Sequence, residues 1–130
     1  MKIMVGYDGS RAGQKALNLA VSHAKAFNGR IVVVASMDSG SSDEQESINR
    51  MEELLESAKT QIEQQGAVCE THLLIRGMSP GEDLVEYATE QGIEEIILAI
   101  RRTSKVGKLV FGSTAQYVIL NAECPVVTLK

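Results

Sequence analysis

The sequence predicts an α/β protein: a doubly wound parallel sheet of five strands in the order 3-2-1-4-5, with helices on both faces. Three observations carry this reading. Five short aliphatic or β-branched runs punctuate the 130 residues, and segments with helical spacing lie between them. Two of the runs, "RIVVVAS" and "EEIILAI", are nearly continuous rather than alternating, which is the pattern of strands buried on both faces. Alternating strands and helices require right-handed crossovers, and these give a parallel sheet with helical cover.

Taken in order, "KIMVGY" is strand 1 and leads through "YDGS" into a first helix. Its apolar stripe is Ala16, Leu17, Ala20, Ala24 and Phe27. Strand 2 is "RIVVVAS". The stretch "SMDSGSSDE" then reads as a surface loop, with Ser42 capping a second helix whose stripe is Ile48, Met51, Leu54, Leu55, Ala58 and Ile62. Strand 3 is "VCETHLLI". Ser79-Pro80-Gly81-Glu82 follows, with an N-cap serine, proline at the first helical position and glutamate at the third, and it opens a helix carrying Leu84, Val85 and Ala88. Strand 4 is "EEIILAI", a last helix begins near Gly112, and "CPVVTL" is strand 5. The length suits one domain spanning residues 1–130.

Composition narrows the class of partner. The chain is 44% hydrophobic and 23% charged, without Trp, so aliphatic side chains must build the core. A formal charge of −4 offers no general attraction to nucleic acid or anionic lipid, which leaves small molecules and proteins. No apolar stretch approaches the ~20 residues of a membrane span, and no charged-then-apolar leader precedes strand 1, so a cytoplasmic protein is expected. Cys69 and Cys124 are too few and too far apart for a metal cluster and read as reduced, buried side chains.

In a sheet of this order the ligand crevice opens at the carboxyl ends of the strands, between strands 1 and 4, where the connections change direction. Two loops border it. In the first, Asp8 can project an acceptor into the crevice or simply bond the turn backbone, Gly9 permits a tight turn, and Ser10 can cap the helix. The second, "AIRRTSKVGKLVFGST", carries Arg101, Arg102, Lys105 and Lys108 before Gly112, Ser113 and Thr114. Helix-start N–H groups, a hydroxyl and nearby cations form an anion site, although the same three residues also suit a plain helix cap. His23 in helix 1 and His72 in strand 3 lie outside the crevice, and Asp8 with Asp38 makes a weak metal pair.

This arrangement resembles the universal stress protein family over nearly the whole chain: "YDGS" after strand 1, "RGMSPGEDLVEYATEQGIEEIILAI", and "GSTAQYVILNAECPVVTLK". The resemblance implies the adenine nucleotide alpha hydrolase-like fold and a homodimer paired through the C-terminal strand. It also implies a regulatory, stress-response role in which ATP or AMP is bound, accompanied where needed by Mg2+, with little or no turnover. Adenine and ribose would lie near strands 1 and 2, with Asp8 on the ribose side, and Gly112, Ser113 and Thr114 would meet phosphate. The family's ATP-binding members carry a glycine, two residues, a glycine, nine residues, then Gly-Ser or Gly-Thr. Counted back from Gly112, the first two glycines fall on Ala99 and Arg102. The alternative implied by those replacements is a nucleotide-free homodimeric interaction module. An ATP-using enzyme on the same fold is disfavoured, because no catalytic cluster stands out.

Overall fold

Seven strands and four helices follow one another in a computed structural model, which describes residues 1–38, 44–100 and 112–130 and the backbone of 102–103 and 109–110. They are β1 (Lys2–Gly6), α1 (Arg11–Phe27), β2 (Arg30–Ser36), α2 (Glu44–Gln64), β3 (Cys69–Leu74), α3 (Pro80–Glu90), β4 (Glu95–Ala99), β5 (Arg102–Thr103), β6 (Leu109–Val110), α4 (Ser113–Asn121) and β7 (Val126–Leu129). The main sheet is all parallel in the order β3-β2-β1-β4-β7, which is the predicted 3-2-1-4-5 with β7 as the fifth strand. β5 and β6 form a small antiparallel ribbon that periodicity did not reveal, because two residues per strand carry no period.

The alternation of side chains along each strand sorts the core into two layers. Ile3, Val5, Ile31, Val33, Ala35, Cys69 and Ile97 point to the face covered by α1 and α2. Met4, Val32, Val34, Leu74, Ile96 and Leu98 point to the face covered by α3 and α4. Because β2 and β4 are buried on both sides, every position in their middle is apolar, which explains their continuous runs. Burying each Val, Ile or Leu side chain contributes about 1.5–3 kcal/mol, so the two layers dominate the stability. Both cysteines are free thiols; Cys69 is buried among these residues, and burial first, then Glu63, pushes its pKa up to about 11.

Helix α1 buries Gly13, Ala16, Leu17, Ala20, Val21 and Ala24, but Phe27, expected on that stripe, is 58% exposed. Its angular position is right; its height is not. His23 already sits level with Glu95, the first residue of β4, and Phe27 lies a turn beyond the end of the sheet, where the His23 ring meets it edge-on. The start of α3 also differs from expectation. Ser79 is the N-cap and Pro80 opens the helix, yet the Ser79 hydroxyl caps no amide and instead donates to Glu82 Oε1 at 3.0 Å. The proposed cap of α2 at Ser42 lies outside the described residues.

Helices α3 and α4 approach closely because Gly81 faces Tyr117: a Cβ at Gly81 would stand 2.8 Å from Tyr117 Cβ, which cannot swing aside. This contact sets where α4 begins relative to the sheet. Replacing Gly81 with Val should therefore destabilise the fold by about 1–3 kcal/mol through overpacking, read as a lower urea midpoint with an unchanged slope. An unaltered midpoint would show that the two helices are not held by this approach.

Candidate functional site

At the carboxyl ends of the strands, β2, β1 and β4 stand side by side and their chains leave in different directions. The β1–β2 ladder runs one residue past β1, with Tyr7 N–H donating to the Val34 carbonyl at 2.9 Å, and Ile100 N–H extends the β4–β7 ladder by donating to the Leu129 carbonyl. Above the point of divergence lies a crevice of about 570 Å³. Gly6, Tyr7 and Asp8 come from the end of β1, Val34 and Ser36 from β2, and Leu98, Ala99 and Ile100 from β4. Pro80 and Leu84 of α3, Gly13 of α1, and Gly112 to Ala115 at the start of α4 complete the wall. A second depression, of about 510 Å³, runs along α2 past Glu53, Glu56 and Gln61. Every described residue lining it belongs to that one helix, so it is a helix surface and not a cleft between elements.

Each predicted loop is built for a stated reason. Gly9 takes φ +81°, and a side chain there would also collide with Leu54, whose Cδ1 stands 2.7 Å from the position of a Cβ. Asp8 Oδ1 accepts from Ser10 N–H at 2.9 Å, and Ser10 Oγ accepts from Gly13 N–H at 3.1 Å. Asp8 thus braces the turn and lines the crevice together, so the two readings of this residue are compatible. Beside it, burial and then the Asp8 charge push the Tyr7 phenol above its ordinary pKa. Tyr7 is a neutral donor near pH 7.

Helix α4 starts differently from α1. Its N-cap is Gly112, with φ −64° and ψ 162°, so no side chain of the cap residue meets the helix-start amides. Ser113 and Thr114 are the first two helical residues, and the N–H groups of Ser113, Thr114 and Ala115 have no acceptor inside the helix. Those amides and two hydroxyls border the crevice at the positive end of the helix dipole. A φ of −64° is open to any residue, so Gly112 is not needed for its conformation. What glycine supplies is space: a Cβ added there meets nothing within 4 Å among the described residues.

Of the residues singled out by sequence, Asp8, Ala99, Gly112, Ser113 and Thr114 are brought together around one opening. Ala99 ends β4 in register with Leu129, and its methyl leaves the crevice open. Arg102 has its backbone in β5, while its side chain, with Arg101, Lys105 and Lys108, lies outside the described residues. Neither histidine lines the crevice. His23 Nδ1 contacts Glu95 Oε1 at 2.6 Å at the opposite end of the sheet, and His72 lies on the edge strand β3, 3.6 Å from Glu70. Asp38 is exposed, and the described residues contain no cluster of three His, Cys, Asp or Glu side chains suited to a metal. Nor does any described helix have the length and apolarity to cross a membrane.

Sequence reasoning missed a polar group behind the crevice. Ser36 donates from Oγ to Asp83 Oδ2 at 2.7 Å, Arg76 Nε donates to Asp83 Oδ1 at 2.6 Å, and Arg76 Nη1 reaches Glu90 at 2.9 Å. Asp83 is 0% exposed, which makes it the most deeply buried charged group among the described residues. The available signal was its place in the otherwise apolar set Asp83, Leu84, Tyr87 and Ala88, the inward face of α3.

The comparisons with known proteins agree with this geometry. A universal stress protein of Archaeoglobus fulgidus is 37% identical, covers 100% of this chain and 98% of its own, and superposes with a TM-score of 0.92. The structure of the universal stress protein from the same organism in complex with dAMP is 34% identical at the same coverage, with a TM-score of 0.87. A universal stress protein of Thermus aquaticus is 28% identical over 134 residues, covering 98% of this chain and 97% of that relative. The model of the universal stress protein family matches residues 1–130, and the chain belongs to that family.

Proposed function

We propose that the protein is a regulatory binder of an adenine nucleotide, ATP or AMP, held across the carboxyl ends of β2, β1 and β4. The observation that carries this is the start of α4: three helix-start amides and the hydroxyls of Ser113 and Thr114 border a crevice of nucleotide size, under a glycine cap that leaves the approach open. Neighbouring strands lie about 4.8 Å apart, so the step from β4 to β2 spans about 10 Å, a reach suited to a phosphate at one end and a base at the other. Val34 and Leu84 give the base end apolar walls, and Asp8 lies at the middle strand, where a ribose would pass. The 34% identical relative whose structure is in complex with dAMP supports the same class of ligand.

Ala99 and Arg102 stand where the family's ATP-binding pattern has glycines. The β4 end keeps its strand geometry with alanine, and an arginine at 102 adds a guanidinium suited to bidentate phosphate contact. The site is therefore read as modified, not abolished. Magnesium, where it accompanies the ligand, would be held chiefly by the nucleotide's own phosphates. Calorimetry on nucleotide-stripped protein should give saturable heat with AMP or ATP, and Gly112→Leu should weaken binding at least tenfold while melting at the wild-type temperature, since its side chain enters open space. No heat from wild-type protein at millimolar nucleotide would reject the proposal.

Turnover is proposed to be slow or absent. Among the described lining residues the titratable side chains are Tyr7 and Asp8, and fast phosphoryl transfer needs charge-neutralising groups and a positioned water besides. Protein incubated with ATP and Mg2+ should release phosphate at well under one turnover per minute; a rate of several per second would make it an enzyme.

The family's pairing mode supports a homodimer through β7. That strand is the sheet edge, bonded to β4 on one side, with Val126, Val127 and Leu129 half-buried in the single chain. An edge of this kind invites a second strand. Sedimentation at micromolar concentration should give twice the chain mass of 14.1 kDa, and a monomeric mass would remove this part of the reading.

A further inference from the structure

One wall of the crevice carries an aromatic ring that the amides at the start of α4 leave unexplained. Tyr7 follows β1, and its backbone is fixed by the bond from its N–H to the Val34 carbonyl at 2.9 Å. Alternation turns its side chain to the face of α1, the face of Val5 on its own strand and of Ala99 on β4, one step beyond the pair of Gly6 and Leu98. There the ring lies against α1: a Cβ at Gly13 would stand 3.0 Å from Tyr7 Cε1 and 3.1 Å from Cδ1. Glycine is less favourable in a helix than alanine by about 1 kcal/mol, and at position 13 the ring fills the place of the missing methyl. The body of the side chain is thus held while its tip is polar. Among the described residues no group hydrogen-bonds the Tyr7 hydroxyl, and that oxygen is not sealed from solvent. Tyr7 is half-buried and lines the opening beside Asp8, Ala99 and Ser113.

We infer that the Tyr7 hydroxyl is a ligand-binding donor, hydrogen-bonding the phosphate of the bound nucleotide from the α1 side of the sheet while the amides of α4 hold it from the other. This deepens the nucleotide reading above and rests on it. A phosphate at the start of α4 lies over the end of β4, one strand spacing of about 4.8 Å from β1, which is within the length of a phenol side chain. Tyr7 is on the same face as Ala99, whereas the apolar walls Val34 and Leu84 belong to the α3 face, so the phosphate and not the base is the end it meets. Its neutrality suits the place. A cation here would pair with the neighbouring Asp8 carboxylate; an uncharged phenol keeps its proton for the ligand. Burial first, then the Asp8 charge, hold its pKa above the ordinary value, so the donor is intact near neutral pH.

The test is calorimetric titration of wild type and Tyr7→Phe with AMP and with adenosine, which lacks the phosphate. Phenylalanine keeps the ring against Gly13 and removes only the oxygen. Tyr7→Phe should weaken AMP binding about tenfold or more, the span of one hydrogen bond to a charged acceptor, and leave adenosine within about twofold of wild type. A second readout is the alkaline absorbance titration of the tyrosines: a phosphate beside the phenol disfavours the phenolate, so AMP should move one tyrosine to higher pH in wild type and none in Tyr7→Phe. Equal affinity of the two proteins for AMP overturns the inference and leaves nucleotide binding intact. A loss of the same size with adenosine also overturns it, because the hydroxyl would then serve the nucleoside. Failure of wild type to bind AMP overturns both readings. Should Tyr7→Phe fail to fold, the wild-type titration decides, and tyrosines that titrate alike with and without AMP reject the inference.

Discussion

Parallel strands cannot be joined by a tight turn, so the connections between strands of the main sheet must climb one face of the sheet as a helix and descend to the starting edge. β1 lies in the middle, with β2 on one side and β4 on the other. The chain builds outward to β3 with α1 and α2 on one face, then returns across the sheet to β4 and places α3 and α4 on the other. At β1 the connections therefore part company, and the described residues frame a crevice at the carboxyl ends of β1 and β4. The crevice is a consequence of strand order. Its existence requires no special residues; its chemistry does.

That chemistry depends on how two helices begin. At α1 the Ser10 hydroxyl accepts from the Gly13 amide and Asp8 accepts from the Ser10 amide, while α4 begins at a glycine. Both starts border the same opening, but α4 is the one whose N-cap contributes no side-chain acceptor. In a chain of net charge −4, an anion is drawn to such a place by local dipoles and donors and not by the field of the whole molecule. The close approach at Gly81 matters for the same reason. It fixes α4 against α3, and hence fixes the amides against the strand ends.

The fold was legible because burial on two faces leaves a plain signature. "RIVVVAS" coincides with β2 residue for residue, and the strand order followed from crossover handedness. The crevice loops were legible because Gly, Ser and Asp mark turns and helix starts. Three features were hidden for physical reasons. Phe27 has the right helical angle, but sequence gives no height relative to the sheet. Ser79 has the residue type of a capping box, yet its hydroxyl chose the Glu82 carboxylate over an amide, a choice that depends on rotamers. Asp83 lies in the first turns of α3, where an acid normally faces solvent and complements the dipole. Its burial depends on Arg76 and Ser36, which come from two other segments, and no periodicity reports a contact across 47 residues of sequence.

Asp83 is costly to keep. A carboxylate at 0% exposure loses most of its hydration, and a guanidinium and a hydroxyl offset that loss only when both are correctly placed. An apolar residue at this position of α3 would pack against Leu84 and Tyr87 without such a requirement. The group is understandable if its value lies in orientation: it holds the Ser36 hydroxyl in one rotamer at the rim of the crevice, and it ties Arg76, and through Arg76 the segment leading into α3, to the end of β2. The two ends of the crevice are then built on opposite plans. At α4 the protein presents donors from backbone with space in front of them, suited to an anion of variable length. The two polar ends of the crevice therefore differ in how freely their groups turn: backbone amides fixed by the helix at α4, and at β2 a hydroxyl held from behind by a buried carboxylate.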